Sequence, residues 1–343
     1  VTEFEVALAK QLQVSDPACV VTTNSGTSAL QLALHLVGVA QRNVITTPMT
    51  FVATTTAICQ AGGRPLWADV VPGTCQMDPE SVKGRLLAAP KAILPVAWAG
   101  FCPDLHQLQA IGWTEELPII LDAAQAFGAT FKGDPLHVWA DFTVYSFAPT
   151  KHLTTGDGGA LICANRAYAD RARRLAWFGM RRDLQAGERV ASDQDILESG
   201  FKYHMNNLTA ALGLAGLHDV GAALNLCRAH ARAYREAFAP SVRLEPLLSP
   251  QVPSPYTFTI FVKDPRSFSD YMQGLGISAL QPHRRTDDNS FVAAYARSLP
   301  NVTWAQQHYV SLPVGWWLRS KDIDHVIEAV LAFPDTLLPE EAL

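Results

Sequence analysis

The chain has 343 residues, with 27 Lys and Arg against 32 Asp and Glu and a formal net charge of −5. Holding a phosphate backbone by counterion release needs clustered basic charge, which neither the total nor any run supplies, so a nucleic-acid binder is excluded. With 48% hydrophobic and 17% charged residues the chain can bury a large core, which excludes disorder, and its length favours two domains over one.

The first residues, VTEFEVALAKQLQV, form a mixed-charge amphipathic stretch without the basic lead and apolar centre of a signal peptide. After it, short β-branched runs alternate with segments of helical period. Strands are predicted to end at Thr23 and to run over Val44 to Thr46, Pro65 to Ala68, Ala92 to Val96, Pro118 to Leu121, Thr143 to Phe147 and Ala160 to Ile162. Helices are predicted between them at Ser28 to Val37, Phe51 to Ala61, Pro79 to Ala88 and Asp104 to Ile111. This alternation predicts an α/β fold, a mainly parallel sheet covered by helices on both faces.

From Arg166 the pattern becomes long and helical, over Arg166 to Trp177 and Asn207 to Phe238. A Pro-rich stretch from Pro240 to Pro255 follows, then a strand at Tyr256 to Val262, a helix near Ser267 to Leu275, a charged loop at Gln281 to Asn289 and a last helix at Lys321 to Ala332. The expected division is a large domain over residues 1–239, connecting helices included, and a smaller α/β domain over 240–343. No apolar run approaches the roughly 18 to 20 residues that span a bilayer. Six cysteines lie scattered without close pairs, as reduced thiols of a cytoplasmic protein would.

Ligands of open α/β sheets sit beyond the carboxyl ends of the strands, and three such ends carry informative residues. In VVTTNSGTSAL, Gly26 permits a tight turn and Thr27 and Ser28 open a helix whose free N–H groups suit a phosphate, although such residues also cap helices everywhere. In PIILDAAQAFGA an apolar run stops at Asp122, either a helix cap or a deliberately buried carboxylate, with Gln125 three residues on and able to share its face. In TVYSFAPTKHLTTGDGGAL a strand leads through Ser146 to Lys151, which is either a surface lysine beside a turn or an amine in a site that makes it a nucleophile. Together a phosphate cradle, an acid and a lysine are the parts that hold pyridoxal phosphate. The lysine binds the aldehyde, and the acid keeps the ring nitrogen protonated so that the ring can accept electrons. Phe51, after another strand end, is either a core residue or an aromatic face for the ring.

The strings NSGTSALQLAL, VITTPMTFVATTTAI, LDAAQAFGA and SFAPTKHLTTGDGGAL, in this order, resemble those of the DegT/DnrJ/EryC1/StrS aminotransferases, and the likeness covers nearly the whole chain. It implies the fold-type I architecture of pyridoxal 5'-phosphate enzymes, most of which aminate nucleotide-linked keto-sugars. It implies Lys151 as the internal aldimine and proton carrier, Asp122 on the pyridine nitrogen, Gln125 near the phenolic oxygen, Phe51 stacked, and Thr27, Ser28 and Ser146 on the phosphate. It also implies a homodimer whose active sites are completed by the other subunit through GFKYHMNNLTAALGLAGL.

That segment has Lys202 and His204 where Asn and Arg are usual, so the cross-subunit contact with phosphate has altered chemistry. Ala97, in PVAWAG, stands where a His is common, and the chain starts inside the family's first helix. L-glutamate is the expected amino donor. The family's dehydratases typically carry His in place of the lysine, and PTKHL retains the lysine at 151. A cyclitol ketone as acceptor, an aminobenzoate-type synthase and a non-catalytic regulator that keeps the cofactor remain alternatives. In HRRTDDNSF most of the charge is expected to be solvated, with one Arg reaching a pyrophosphate or the donor carboxylate. Trp316 and Trp317 are expected to pack between domains.

Overall fold

The computed structural model describes residues 1–181, 194–239 and 241–333. Pro240 and residues 334–343, the two limits of the expected smaller domain, lie outside the described residues. Among the described residues, seven strands form the central sheet: β1 (Val20–Thr23), β2 (Asn43–Thr46), β3 (Arg64–Trp67), β4 (Pro90–Leu94), β5 (Ile120–Asp122), β6 (Phe142–Ser146) and β7 (Gly159–Cys163). Their spatial order is β3-β2-β4-β5-β6-β7-β1, with β4 and β5 joined through the parallel bridges Ile93 to Ile119 and Val96 to Asp122. β7 is antiparallel to both β6 and β1, and the other strands run in one direction. The mainly parallel expectation therefore holds, with one reversal at the lysine loop.

Helices cover the sheet: α1 (Thr2–Gln11), α2 (Gly26–Val37), α3 (Val52–Gln60), α4 (Pro79–Lys83), α5 (Leu105–Thr114), α6 (Arg166–Leu175) and the long α7 (Asn207–Phe238). β1, β7 and most of β6 are buried throughout, the pattern of strands covered on both faces. The helix expected over Pro79 to Ala88 breaks at Gly84 and resumes as a short 3-10 turn at Leu86–Ala88. α2 starts two residues earlier than expected, because Ser25 accepts from the Ser28 N–H as its cap.

A second, three-stranded antiparallel sheet orders β8 (Arg243–Leu244), β9 (Phe258–Phe261) and β10 (Tyr309–Leu312), covered by α8 (Pro265–Gly274) and α10 (Ser320–Ala332). Between them, α9 (Pro300–His308) and β10 escaped the sequence reading. α7 serves two cores. Ala210, Val220 and Leu224 pack with α1 and the central sheet, whereas Ala231, Tyr234 and Phe238 pack with β9 and α10. Over its most apolar window α7 has a mean hydropathy of 1.3, long and apolar enough to cross a bilayer by length and composition. A search for unbroken apolar runs misses that property. All six cysteines are free thiols.

Candidate active site

The carboxyl ends of β1, β4, β5 and β6 meet at one edge of the sheet. At β1 the chain turns through Asn24 and Ser25 into α2, and the turn is locked by its own polar groups: Ser28 Oγ donates to Asn24 Oδ1 at 2.6 Å, and Ser28 N donates to Ser25 Oγ at 3.1 Å. A Cβ on Gly26 would lie 2.9 Å from Ser146 Cβ, and one on Gly159 would lie 2.5 Å from Gly26 N. Glycine at both positions lets the start of α2 press against the end of β6. The free N–H groups and positive end of α2 thus sit beside the Ser146 hydroxyl, with Thr27 half-buried at the rim.

Asp122 ends β5 and is buried. Thr54 Oγ1 donates to one of its oxygens at 2.7 Å and Ala124 N to the other at 3.1 Å. Burial pushes its carboxyl up, while these two hydrogen bonds and the charge of Lys151 pull it down. A partly compensated buried carboxylate of this kind is suited to a cationic N–H. Gln125 Oε1 accepts from Ala99 N at 2.8 Å, which fixes the carboxamide and leaves its NH2 as the end that can donate to a ligand. Ala99 and Gly100 are held at φ 55° and 91°, and a Cβ on Gly100 would come within 1.7 Å of the Ser254 carbonyl. This shelf therefore needs glycine. Ala97 is buried, and its N–H donates to the Asp122 carbonyl at 2.9 Å.

Lys151 rides on the loop between β6 and β7, which is closed by Phe147 N to Gly158 O at 2.8 Å and Thr155 N to Phe147 O at 3.0 Å. Its Nζ lies 4.0 Å from the ring centroid of Tyr256, whose hydroxyl is 2.8 Å from Thr150 Oγ1. His152 Nε2 sits 3.0 Å from the Pro255 carbonyl, and burial pushes its imidazole down to about 4. Phe51 caps α3 with its ring 52% exposed, 5.2 Å from the ring of His283. Trp98 meets His283 edge-on at 5.6 Å. Burial, reinforced by the charge of Lys151, pushes His283 down to about 4, so it is neutral at pH 7.

Residues 1–331 match the sequence profile of the DegT/DnrJ/EryC1/StrS aminotransferase family. The chain belongs to this family. Among solved structures, the sugar aminotransferase CalS13 from Micromonospora echinospora is 33% identical, with a TM-score of 0.89 over 96% of this chain and 90% of that one. AtS13 from Actinomadura melliaura is 37% identical, with a TM-score of 0.89 over 95% and 89%. A putative sugar aminotransferase from Streptococcus pneumoniae, solved in its PLP form, is 23% identical with a TM-score of 0.84 over 95% and 89%, a likeness of fold.

As a DegT/DnrJ/EryC1/StrS protein the chain is a pyridoxal 5'-phosphate-dependent aminotransferase, and its residues fit that cofactor. The cradle at Gly26, the buried acid Asp122 and the amine of Lys151 stand along one strand edge, and Phe51 is exposed to cover a ring instead of filling the core. Lys202 and His204 lie on a different wall. Lys202 Nζ is 3.7 Å from the Trp177 ring centroid, and the His204 ring meets Trp177 edge-on at 4.2 Å, on a segment bridged to the end of β1 at Thr23.

Two expectations are corrected. The loop HRRTDDNSF is largely built in: Arg285 pairs with Asp287 through bonds of 2.7 and 2.6 Å, Thr286 is buried against Pro48 and Thr55, and His283 walls the site. Of its charged residues only Arg284 and Asp288 are exposed, and they bond to each other. Trp316 and Trp317 are 48% and 61% exposed and touch each other edge-on, so they do not pack between domains. The sequence reading missed Thr54, Tyr256 and His283. Thr54 had a signal, since it lies three residues after Phe51 and so shares its helix face. Tyr256 and His283 reach the site only through tertiary packing of the C-terminal residues.

Proposed function

We propose that this aminotransferase moves an amino group from an amino acid, L-glutamate, to a keto-sugar carried on a nucleotide. The observation that carries the reading is the meeting of Lys151, buried Asp122 and the glycine-locked start of α2 at one strand edge. When bound, pyridoxal 5'-phosphate supplies the electron sink for a substrate carbon that loses a proton. Lys151 Nζ holds the cofactor and, once free, takes and returns that proton. Asp122 keeps a proton on the ring nitrogen, Gln125 donates its NH2 to the ring oxygen, and Phe51 covers the ring face. Thr27 and Ser146 bind the phosphate, while Ser28 fixes the turn through Asn24 and Ser25.

The functional unit in this reading is a homodimer, in which Lys202 and His204 face the phosphate of the other subunit. Its support is the apolar surface beside that segment, where Leu208 and Leu212 are 82% and 57% exposed at the start of α7. Retention of Lys151 supports transamination over dehydration.

The test is the visible spectrum of the protein with pyridoxal 5'-phosphate, before and after L-glutamate, beside Lys151→Ala. The expected result is a lysine-dependent band near the visible edge that glutamate bleaches to the amine form, followed by parallel double-reciprocal lines with a nucleotide-linked keto-sugar. A band that survives in Lys151→Ala refutes the role of the lysine. Turnover of cyclitol ketones but not of nucleotide-linked keto-sugars refutes the acceptor.

A further inference from the structure

Resting on the reading of Lys151 as the cofactor-bearing lysine, we propose that Tyr256 is the positioning residue that receives its charged amine whenever it is not bonded to the cofactor. A lysine that serves as a base must carry an ammonium for part of each cycle. That cation needs a partner which does not itself take or give a proton. No carboxylate is recorded within ion-pair distance of Lys151 among the described residues; the aromatic face of Tyr256 lies at 4.0 Å. A cation over a ring face at this distance is attracted by the ring quadrupole, most strongly where water is thinned out.

Tyr256 is itself held at three points. Its hydroxyl meets Thr150 Oγ1 at 2.8 Å, on the residue before the lysine, and its N–H donates to the Ala99 carbonyl at 2.9 Å, on the shelf that orients Gln125. The preceding Pro255 carbonyl is 3.0 Å from His152 Nε2, on the residue after the lysine. The entry to β9 therefore clasps Lys151 from both sides along the chain. The ring is a platform set by the C-terminal residues under an amine supplied by the large sheet. His283, kept neutral by burial and by the charge of the same amine, does not compete for that charge.

The experiment uses protein free of cofactor and a neutral acylating reagent, with modification of each lysine followed by mass spectrometry. Lys132, which lies over the Phe131 ring at 5.9 Å outside the site, is the internal reference. An ammonium held on the ring face is masked as a nucleophile. Tyr256→Leu and Tyr256→Met are expected to raise the labelling rate of Lys151 by about 2- to 30-fold near pH 8, the span of cation–ring attraction from exposed to dry sites. Tyr256→Phe, which keeps the face and loses the Thr150 bond, is expected to stay near the parent rate.

Equal labelling of Lys151 in the parent and both aliphatic variants overturns the proposal. So does a rise in Tyr256→Phe that matches theirs, since it would report access instead of charge. If Lys132 labelling rises in one aliphatic variant, that variant has loosened and the other is read; if it rises in both, Tyr256→Phe alone decides, by keeping or losing the parent rate. In the loaded enzyme the expected companion is a lower kcat with unchanged KM for L-glutamate, and a larger isotope effect with the 2-deuterated donor. Failure of the cofactor reading would appear separately, as a spectrum indifferent to Lys151→Ala.

Discussion

Glu245, next to β8, offers a test of how the C-terminal sheet is fastened to the wall of the active site. Its side chain is buried, and its Oε1 accepts from Cys75 N at 3.0 Å and from Gln76 Nε2 at 3.1 Å. Gln76 in turn reaches the Trp98 carbonyl at 3.4 Å, and Trp98 packs on His283. Desolvation pushes the carboxyl from the usual 4.5 up to about 7, against the pull of its hydrogen bonds and Arg235. The folded protein thus holds a proton that the unfolded chain releases between these values, so stability from this group is full below pH 4.5 and is lost as pH rises through 7. At about 1.4 kcal/mol per pH unit, the gap corresponds to about 3 kcal/mol. Glu245→Gln keeps the shape and accepts the same N–H groups without a charge. Urea unfolding between pH 5 and 9 should show a parent whose stability falls by up to about 3 kcal/mol more than that of the variant. Parallel pH profiles would refute the reasoning, because Glu245 would then ionise alike in both states.

Two further substitutions probe the frame of the site. Gly100→Ala would drive a methyl into the Ser254 carbonyl at a positive φ, so a loss of several kcal/mol in thermal or urea unfolding and weaker pyridoxal 5'-phosphate binding through displaced Gln125 are expected. Arg285→Ala would leave the Asp287 carboxylate buried and unpaired at 4% side-chain exposure, and unfolding at pH 7 should register a loss of about 3 to 5 kcal/mol.

The sheet, its strand ends and the three polar stations on it were legible because each is written locally. An apolar run stopping at Asp122, glycine beside Ser25 and a lysine in the short turn between two strands are all patterns of neighbouring residues along the chain. The single reversal at β7 was not legible, since a hydrophobic strand reads alike in either direction. His283 and Tyr256 escaped for a related reason. A histidine in HRRTDDNSF carries no local mark of burial; it becomes a wall only when Trp98 and Phe51, from the far half of the sequence, close on it. Trp316 and Trp317 misled in the opposite sense, because aromatic residues are assigned to packing by composition and the fold leaves these two outside.

The reversal of β7 has a consequence for how the chain assembles. Because β6 and β7 form a hairpin, Lys151 sits in a short closed circuit, a loop of residues 147–158 whose ends meet through Phe147 and Gly158. Closing so short a circuit costs little chain entropy, whereas Asp122 and the α2 turn are brought to the same edge across separations of tens of residues. The reactive amine is therefore mounted on a self-contained clip whose closure needs no contact from the rest of the pocket. Insertions in distant connections can lengthen the chain without moving the lysine relative to its own strand, and the clip can be carried intact while the pocket around it changes.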